Sequence, residues 1–226
     1  MASATAMCHQ SLGSVIVPVT AFLSSLTSGL QRCASGTPGF RTRRYARGMT
    51  VEPSPTSFSR ITLARIMDDG DANLHGNVHG GVIMKAVDDA AGACAARHTR
   101  GKAVTASMDE MVFLEPVHVG DILTCRAQVN WTGSSSMEVG VRVTTQRWDD
   151  ADADGHHVAS AYLVFVAIDD DERPRPAVPV LPESDDDRHR WAEAVIRRAS
   201  RLARREAIRA RRVEHAAAPT SAPPVV

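Results

Sequence analysis

The stretch that decides the fold is Asp71-Ala72-Asn73-Leu74-His75-Gly76-Asn77-Val78-His79-Gly80-Gly81-Val82-Ile83-Met84-Lys85-Ala86-Val87-Asp88-Asp89, a polar glycine turn running straight into a helix. From Val82 onward Ile83, Val87, Ala90, Ala91 and Cys94 recur at three- and four-residue intervals. That period predicts an amphipathic helix to about Arg97, packed on a sheet. Two adjacent glycines at its start leave backbone N–H donors unshielded, and such amides stabilise a developing negative charge. Gly81 and Asp88 are about two helical turns apart, so they share nearly one face, with the carboxylate roughly 10 Å along the axis from the N-terminal amides. Asp88 and Asp89 are neighbours pointing about 100° apart, so at most one of them faces such a site.

Outward from the helix, the pattern switches to period two. Ser59 to Met67 reads as a first strand, and Lys102 to about Phe113 as a second with an irregularity near Asp109-Glu110. From Leu123 to Trp131 alternation is strict, with Leu123, Cys125, Ala127, Val129 and Trp131 on one face. Gly133-Ser134-Ser135-Ser136 turns the chain, Met137, Val139, Val141 and Val143 alternate on the return, and Val158 to Ile168 is an apolar run suited to a central strand. One strand, one helix, then four strands predicts an α+β domain over about residues 57–170, a long helix laid across a mostly antiparallel sheet. Residues 171–184 read as an extended surface linker, with Ala177-Val-Pro-Val-Leu-Pro running along the exterior. Ser184 before Asp185, Asp186 and Asp187 is a helix-start signature. An Arg-rich helix is expected over 185–212 and a disordered Ala- and Pro-rich tail over 213–226.

The formal net charge is zero, yet charge is segregated: residues 1–51 hold five Arg and no acid, and residues 188–214 hold ten Arg against three Glu. The balance gives no nucleic-acid signal, and the basic helix lacks interleaved aromatics. Cys8, Cys33, Cys94 and Cys125 show no metal-ligand spacing, which favours a reducing, cytoplasmic setting. No transmembrane helix is predicted, because the run Val15–Leu26 is too short. Residues 1–55 lack a sustained period and read as a disordered extension, a transit peptide, a poor secretory signal, or sequence ahead of a true start at Met49. His75 and His79 lie in the turn rather than on the helix, so turn contacts outweigh a metal role, and no metal or other cofactor is expected. Asp150-Ala-Asp152-Ala-Asp154-Gly155 matches half of a calcium loop, but Ala161 stands where the bidentate Glu belongs, so a solvated hairpin tip explains it better.

Asp71-Ala-Asn73-x-x-Gly76-Asn-Val-His79-Gly80-Gly81-x-x-Met84-x-x-x-Asp88, then Arg97-His98, Val104-Thr-Ala-Ser107, Phe113, Pro116-Val, Gly120-Asp121, Ser135-Ser-Met-Glu-Val139 and Val180-Leu-Pro-Glu183, closely resembles the hotdog-fold acyl-CoA thioesterases. The resemblance implies a single hotdog domain, metal-independent hydrolysis of fatty acyl-CoA to fatty acid and CoA, and active sites at a subunit interface. It implies a homodimer at minimum, with a hexamer as the larger assembly. Asp88 would be catalytic, Asn73 would face Asp88 of a partner subunit, Gly80 and Gly81 would hold the oxyanion, and Gly133, Ser134, Ser135 and Ser136 would lie near the CoA. Two other readings stand beside it: a non-catalytic acyl-CoA sensor on the same fold, and a hotdog dehydratase.

Overall fold

The computed structural model describes residues 52–149 and 155–217; the readings on the N-terminal segment, the acidic run 150–154 and residues 218–226 lie outside these. The described elements begin with β1 (Ser54–Pro55) and a helical turn α1 (Thr56–Ser59). Strand β2 (Ile61–Ile66) leads to a 3-10 turn (Asp69–Asp71) and then to α2 (Gly80–Thr99). Strands β3 (Ala103–Phe113), β4 (Asp121–Thr132), β5 (Ser136–Arg147) and β6 (His156–Ala167) follow, then β7 (Val180–Leu181) and α3 (Asp185–Ala217). The main sheet runs β2-β4-β5-β6-β3, antiparallel throughout, which leaves β2 and β3 at its edges. It packs around α2 as the order of elements predicts.

Helix α2 buries Ile83, Val87, Ala90, Ala91, Cys94 and Ala95 against Leu123, Cys125, Val129, Val139, Val143, Leu163 and Phe165. The small residues at 90, 91 and 95 let the helix axis approach the sheet closely, and the burial of this face supplies the main favourable free energy. The helix ends at Arg100, in the left-handed region with φ 52. The Arg175 guanidinium donates to Thr99 O at 2.8 Å and to Ile168 O at 2.9 Å, placing a cation on the helix's negative end. His98, wholly buried, donates from Nε2 to Val178 O at 2.9 Å.

Three expectations are corrected. The segment 177–182 is not a surface run: Ala177, Val178 and Val180 are buried, and Val180–Leu181 pairs in parallel with β1. The alternation of β4 does not reach Trp131. A bulge between Val129 and Trp131 inserts Asn130, which flips the parity so that Trp131 pairs with Glu138 and lies on the outer face under Arg198. Gly140 makes room for that bulge, since a Cβ there would sit 2.5 Å from the Asn130 side chain. Helix α3 continues to Ala217, past the expected end at 212. The expected irregularity in β3 is present as register shifts at Thr105/Ser107 and Met108/Glu110.

Helix α3 lies on the outer face of the sheet and is held there by polar contacts. Asp187 accepts from Thr56 Oγ1 (2.8 Å), Gln128 Nε2 (2.8 Å), Arg60 Nη2 (3.1 Å) and the Ser184 amide (3.1 Å). Burial opposes its charge, but hydrogen bonds from Thr56, Gln128 and Ser184 outweigh that and hold its carboxyl well below the usual range. Ser184 caps the helix as expected, its Oγ accepting from the Asp187 amide at 3.1 Å. Further along, Arg197 donates to Glu138 Oε1 at 2.8 Å and stacks 3.6 Å from the centroid of the Tyr162 ring. Arg201 reaches Asp109 on the edge strand β3.

Candidate active site

The turn before α2 is built from short polar side chains that bond to their own backbone. Asp68 accepts from Gly70 N and Asp71 from Asp68 N, a reciprocal cap on the 3-10 turn. Arg65 then clamps Asp71 at 2.5 Å. Asn73 Oδ1 accepts from His75 N at 2.8 Å and Asn77 N at 3.3 Å, closing an Asx turn around Gly76, whose φ of 81 favours glycine. The turn is tied to the 114–118 segment through Val78 N to Val117 O at 2.8 Å and a bridge from Asn77 to His118. It therefore delivers Gly80 to a fixed place, beside the end of β3.

His79 caps α2: its Nδ1 accepts from Gly81 N at 2.9 Å. The two glycines thus differ. The Gly81 amide is engaged by the cap, whereas Gly80, the first helical residue, has no intrahelical acceptor by position. Gly80 lines a cleft of about 380 Å³ with Asn73, Ile83, Phe113 and Pro116, and a second of about 540 Å³ with Asn73, Leu74 and His79. A Cβ on Gly80 would lie 3.6 Å from Phe113 Cζ, against the apolar wall of the cleft.

Two turns into the helix the adjacent carboxylates separate. Asp89 faces solvent and pairs with Lys85 at 2.6 Å, an i,i+4 contact. Asp88, half-buried, accepts from Thr105 Oγ1 on β3 at 2.8 Å. A carboxylate with one oxygen oriented by a hydroxyl has its second oxygen left to act as base or nucleophile. Thr105 is the residue the sequence reading passed over, since a threonine on an alternating strand has an ordinary structural explanation.

The remaining expected site residues lie elsewhere. Gly133 N donates to Ser136 O at 2.7 Å across the β4–β5 hairpin, Ser134 O accepts from Ala177 N, and Ser135 O accepts from Ala167 N. Ala167 pairs with Ala103 at the start of β3, whereas Gly80 sits beside Phe113 at its end. An 11-residue strand separates them, roughly 30 Å. Within one chain the structure brings together Asp88 with Thr105 and Asn73 with Gly80, and holds the 133–136 loop apart from the Gly80 turn. Among the described residues no group of three or more His, Cys, Asp and Glu is placed to hold a metal, and no helix is long and apolar enough to cross a membrane.

A family model described as Thioesterase superfamily matches residues 75–147, from the glycine turn to the end of β5. The mouse cytosolic acyl coenzyme A thioester hydrolase is 34% identical over 158 residues, which is 70% of this chain and 42% of the relative. The chain thus spans about two fifths of that relative's length. An uncharacterized acyl-CoA thioester hydrolase of Bacillus subtilis is 38% identical over 117 residues, 52% of this chain and 67% of the relative. Among solved structures, the acyl-CoA hydrolase of Staphylococcus aureus in complex with butyryl coenzyme A, coenzyme A and coenzyme A disulfide superposes with a TM-score of 0.66 at 34% identity, over 73% of this chain and 99% of that one. That staphylococcal protein has also been solved with an asparagine, an aspartate or a threonine replaced by alanine. With the sheet, the helix and the glycine turn in agreement, the chain belongs to the thioesterase superfamily, among the hotdog-fold acyl-CoA hydrolases.

Proposed function

We propose that this chain hydrolyses fatty acyl-CoA to free fatty acid and CoA, without a metal, at a site completed by two copies of itself and working in the cytoplasm. The observation that carries the reading is Asp88, a half-buried helix carboxylate held by Thr105 of the edge strand, two turns from the Gly80 amide at the helix N-terminus. Asp88 takes a proton from water as it attacks the thioester carbonyl, or attacks directly to give an anhydride that water then opens. Either route leaves charge on the carbonyl oxygen, for which the Gly80 amide is a ready donor, while the Gly81 amide donates to the His79 cap. Collapse of the tetrahedral species releases the CoA thiolate, which recovers the proton. Asn73, Asp88 and Thr105 match in residue type the three positions replaced in the staphylococcal hydrolase.

The dimer follows from β3. Its outer edge has no partner strand among the described residues, and Val104, Val112 and Phe113 are exposed along it. Antiparallel pairing of two such edges would carry the Gly133–Ser136 loop of one copy to the Gly80 turn of the other, and Asn73 of one toward Asp88 of the other. That removes the 30 Å gap within the single chain and gives CoA a groove between copies.

The test is release of free thiol from acyl-CoA, followed with DTNB across acyl chain lengths. Wild-type chain turns over, and Asp88→Ala loses at least a hundredfold in kcat while keeping its fold and its CoA binding. Wild-type-like hydrolysis by the variant removes Asp88 from the mechanism, and no hydrolysis by wild type at any chain length overturns the reading.

A further inference from the structure

Helix α3 is longer than the surface it has to lie on. Arg201 makes its contact with Asp109 on the edge strand, and residues 202–216 beyond it are all exposed. These fifteen residues extend about 22 Å. A helical stretch of that length with no buried face is marginal in water by itself.

The exposed flank is patterned. With 100° per residue, the sheet-facing side is set by Asp187, Ala194 and Arg201, all buried. Trp191, Val195, Leu202 and Val213 fall within about 40° of one another on one side of that line, and each is more than a third exposed. Arg198 and Glu206 border the same stripe. Two of the pairs mirrored about Leu202 are complementary: Arg198 mirrors Glu206 and Trp191 mirrors Val213, while Val195 mirrors Arg209, which can offer it only its aliphatic stem.

We infer that α3 pairs antiparallel with α3 of a second copy of this chain, centred on Leu202. In that register Leu202 meets its own counterpart and Arg198 meets Glu206 of the second copy twice. Trp191 covers Val213 of the second copy at both ends, along about 33 Å of contact. Charge complementarity at one pair of positions favours this occupant, because the same alignment that sets Leu202 on its own counterpart and Trp191 on Val213 also opposes Arg198 to Glu206. Each overhanging half then lies over the other copy's sheet. The crossing point agrees: α3 meets β3 at Asp109, next to the middle of that open edge, so one two-fold axis serves both the strand pairing and the helix pairing. The inference rests on α3 and deepens the dimer proposed above without needing the hydrolase chemistry.

The experiment uses the full chain with Cys8 and Cys33 changed to Ser, leaving the buried Cys94 and Cys125 in place. Leu202→Cys is oxidised under mild conditions beside Ile196→Cys, which is 65% exposed and lies about 120° round the helix from Leu202, off the stripe. Leu202→Cys is expected to give disulfide-linked dimers at least tenfold faster than Ile196→Cys. Arg198→Glu in the Leu202→Cys background slows cross-linking several-fold, and adding Glu206→Arg restores it. Equal rates for the two cysteines, or no recovery on the charge swap, overturn the helix pairing. Thiol release from acyl-CoA by the uncross-linked chain is measured alongside, so failure of the helix pairing and failure of the hydrolase reading are separately visible.

Discussion

Against the inner face of the sheet α2 presents Val87, Ala90, Ala91, Cys94 and Ala95; against the outer face α3 presents Asp187, Arg197 and Arg201. Both helices cross the same strands, yet one is held by apolar area and the other by charge. The inner contact is non-directional and gains free energy from every atom removed from water. The outer contact depends on geometry, because Glu138 and Asp187 are nearly as buried as the core and tolerate that only while their donors stay in place. The inner layer therefore sets how stable the domain is, and the outer layer sets where α3 lies.

Substitutions can break that contrast in graded ways. Phe165→Ala, at a wholly buried ring facing α2, is expected to cost about 3–5 kcal/mol in chemical denaturation, the largest effect here. Glu138→Ala removes the acceptor of Arg197 and should cost about 3 kcal/mol. Changing both members of that pair to Met should return the stability to within about 1 kcal/mol of wild type, since an apolar pair needs no partner. A double variant as unstable as the single one would show that α3 is not held by a pair that apolar contact can replace.

Acid should loosen both faces in sequence. Burial lowers the pKa of His98, so the folded protein keeps it neutral while the unfolded chain takes up a proton. Its contribution is fully present above about pH 6.5 and declines as the pH falls below that. Asp187, held ionised by its donors, behaves with the same sign but begins to matter only below about pH 4. Thermal melts from pH 8 to 3 should show two successive losses, and His98→Gln should flatten the upper one. The smallest effect is expected at the solvent side of α2, where Lys85→Ala should shift stability by no more than about 0.5 kcal/mol.

The inner layer was legible because burial leaves a period in the sequence: 3.6 residues along α2 and two along β4 and β5. The outer layer was not. Asp187, Arg197 and Arg201 look like solvated charges until the sheet beneath them is known, and the bulge at Asn130 keeps apolar Trp131 at an odd position while moving it to the other face. The site divides likewise. Helix phase shows that Asp88 and Asp89 part company, and the glycine pair marks the N-terminus. The packing of β3 on α2 that brings Thr105 to Asp88 is a three-dimensional contact with no local signature, and the His79 cap on Gly81, though local, uses a residue type outside the usual N-cap set.

Cys94 on α2 and Cys125 on β4 are both free and buried, and desolvation pushes their thiols up to about 12 and about 11. Neither has enough thiolate at neutral pH to react while the layers are closed. Alkylation at these two positions therefore clocks the separation of helix from sheet, and native-state labelling at increasing temperature would time how often the domain breathes with no dye or tag added.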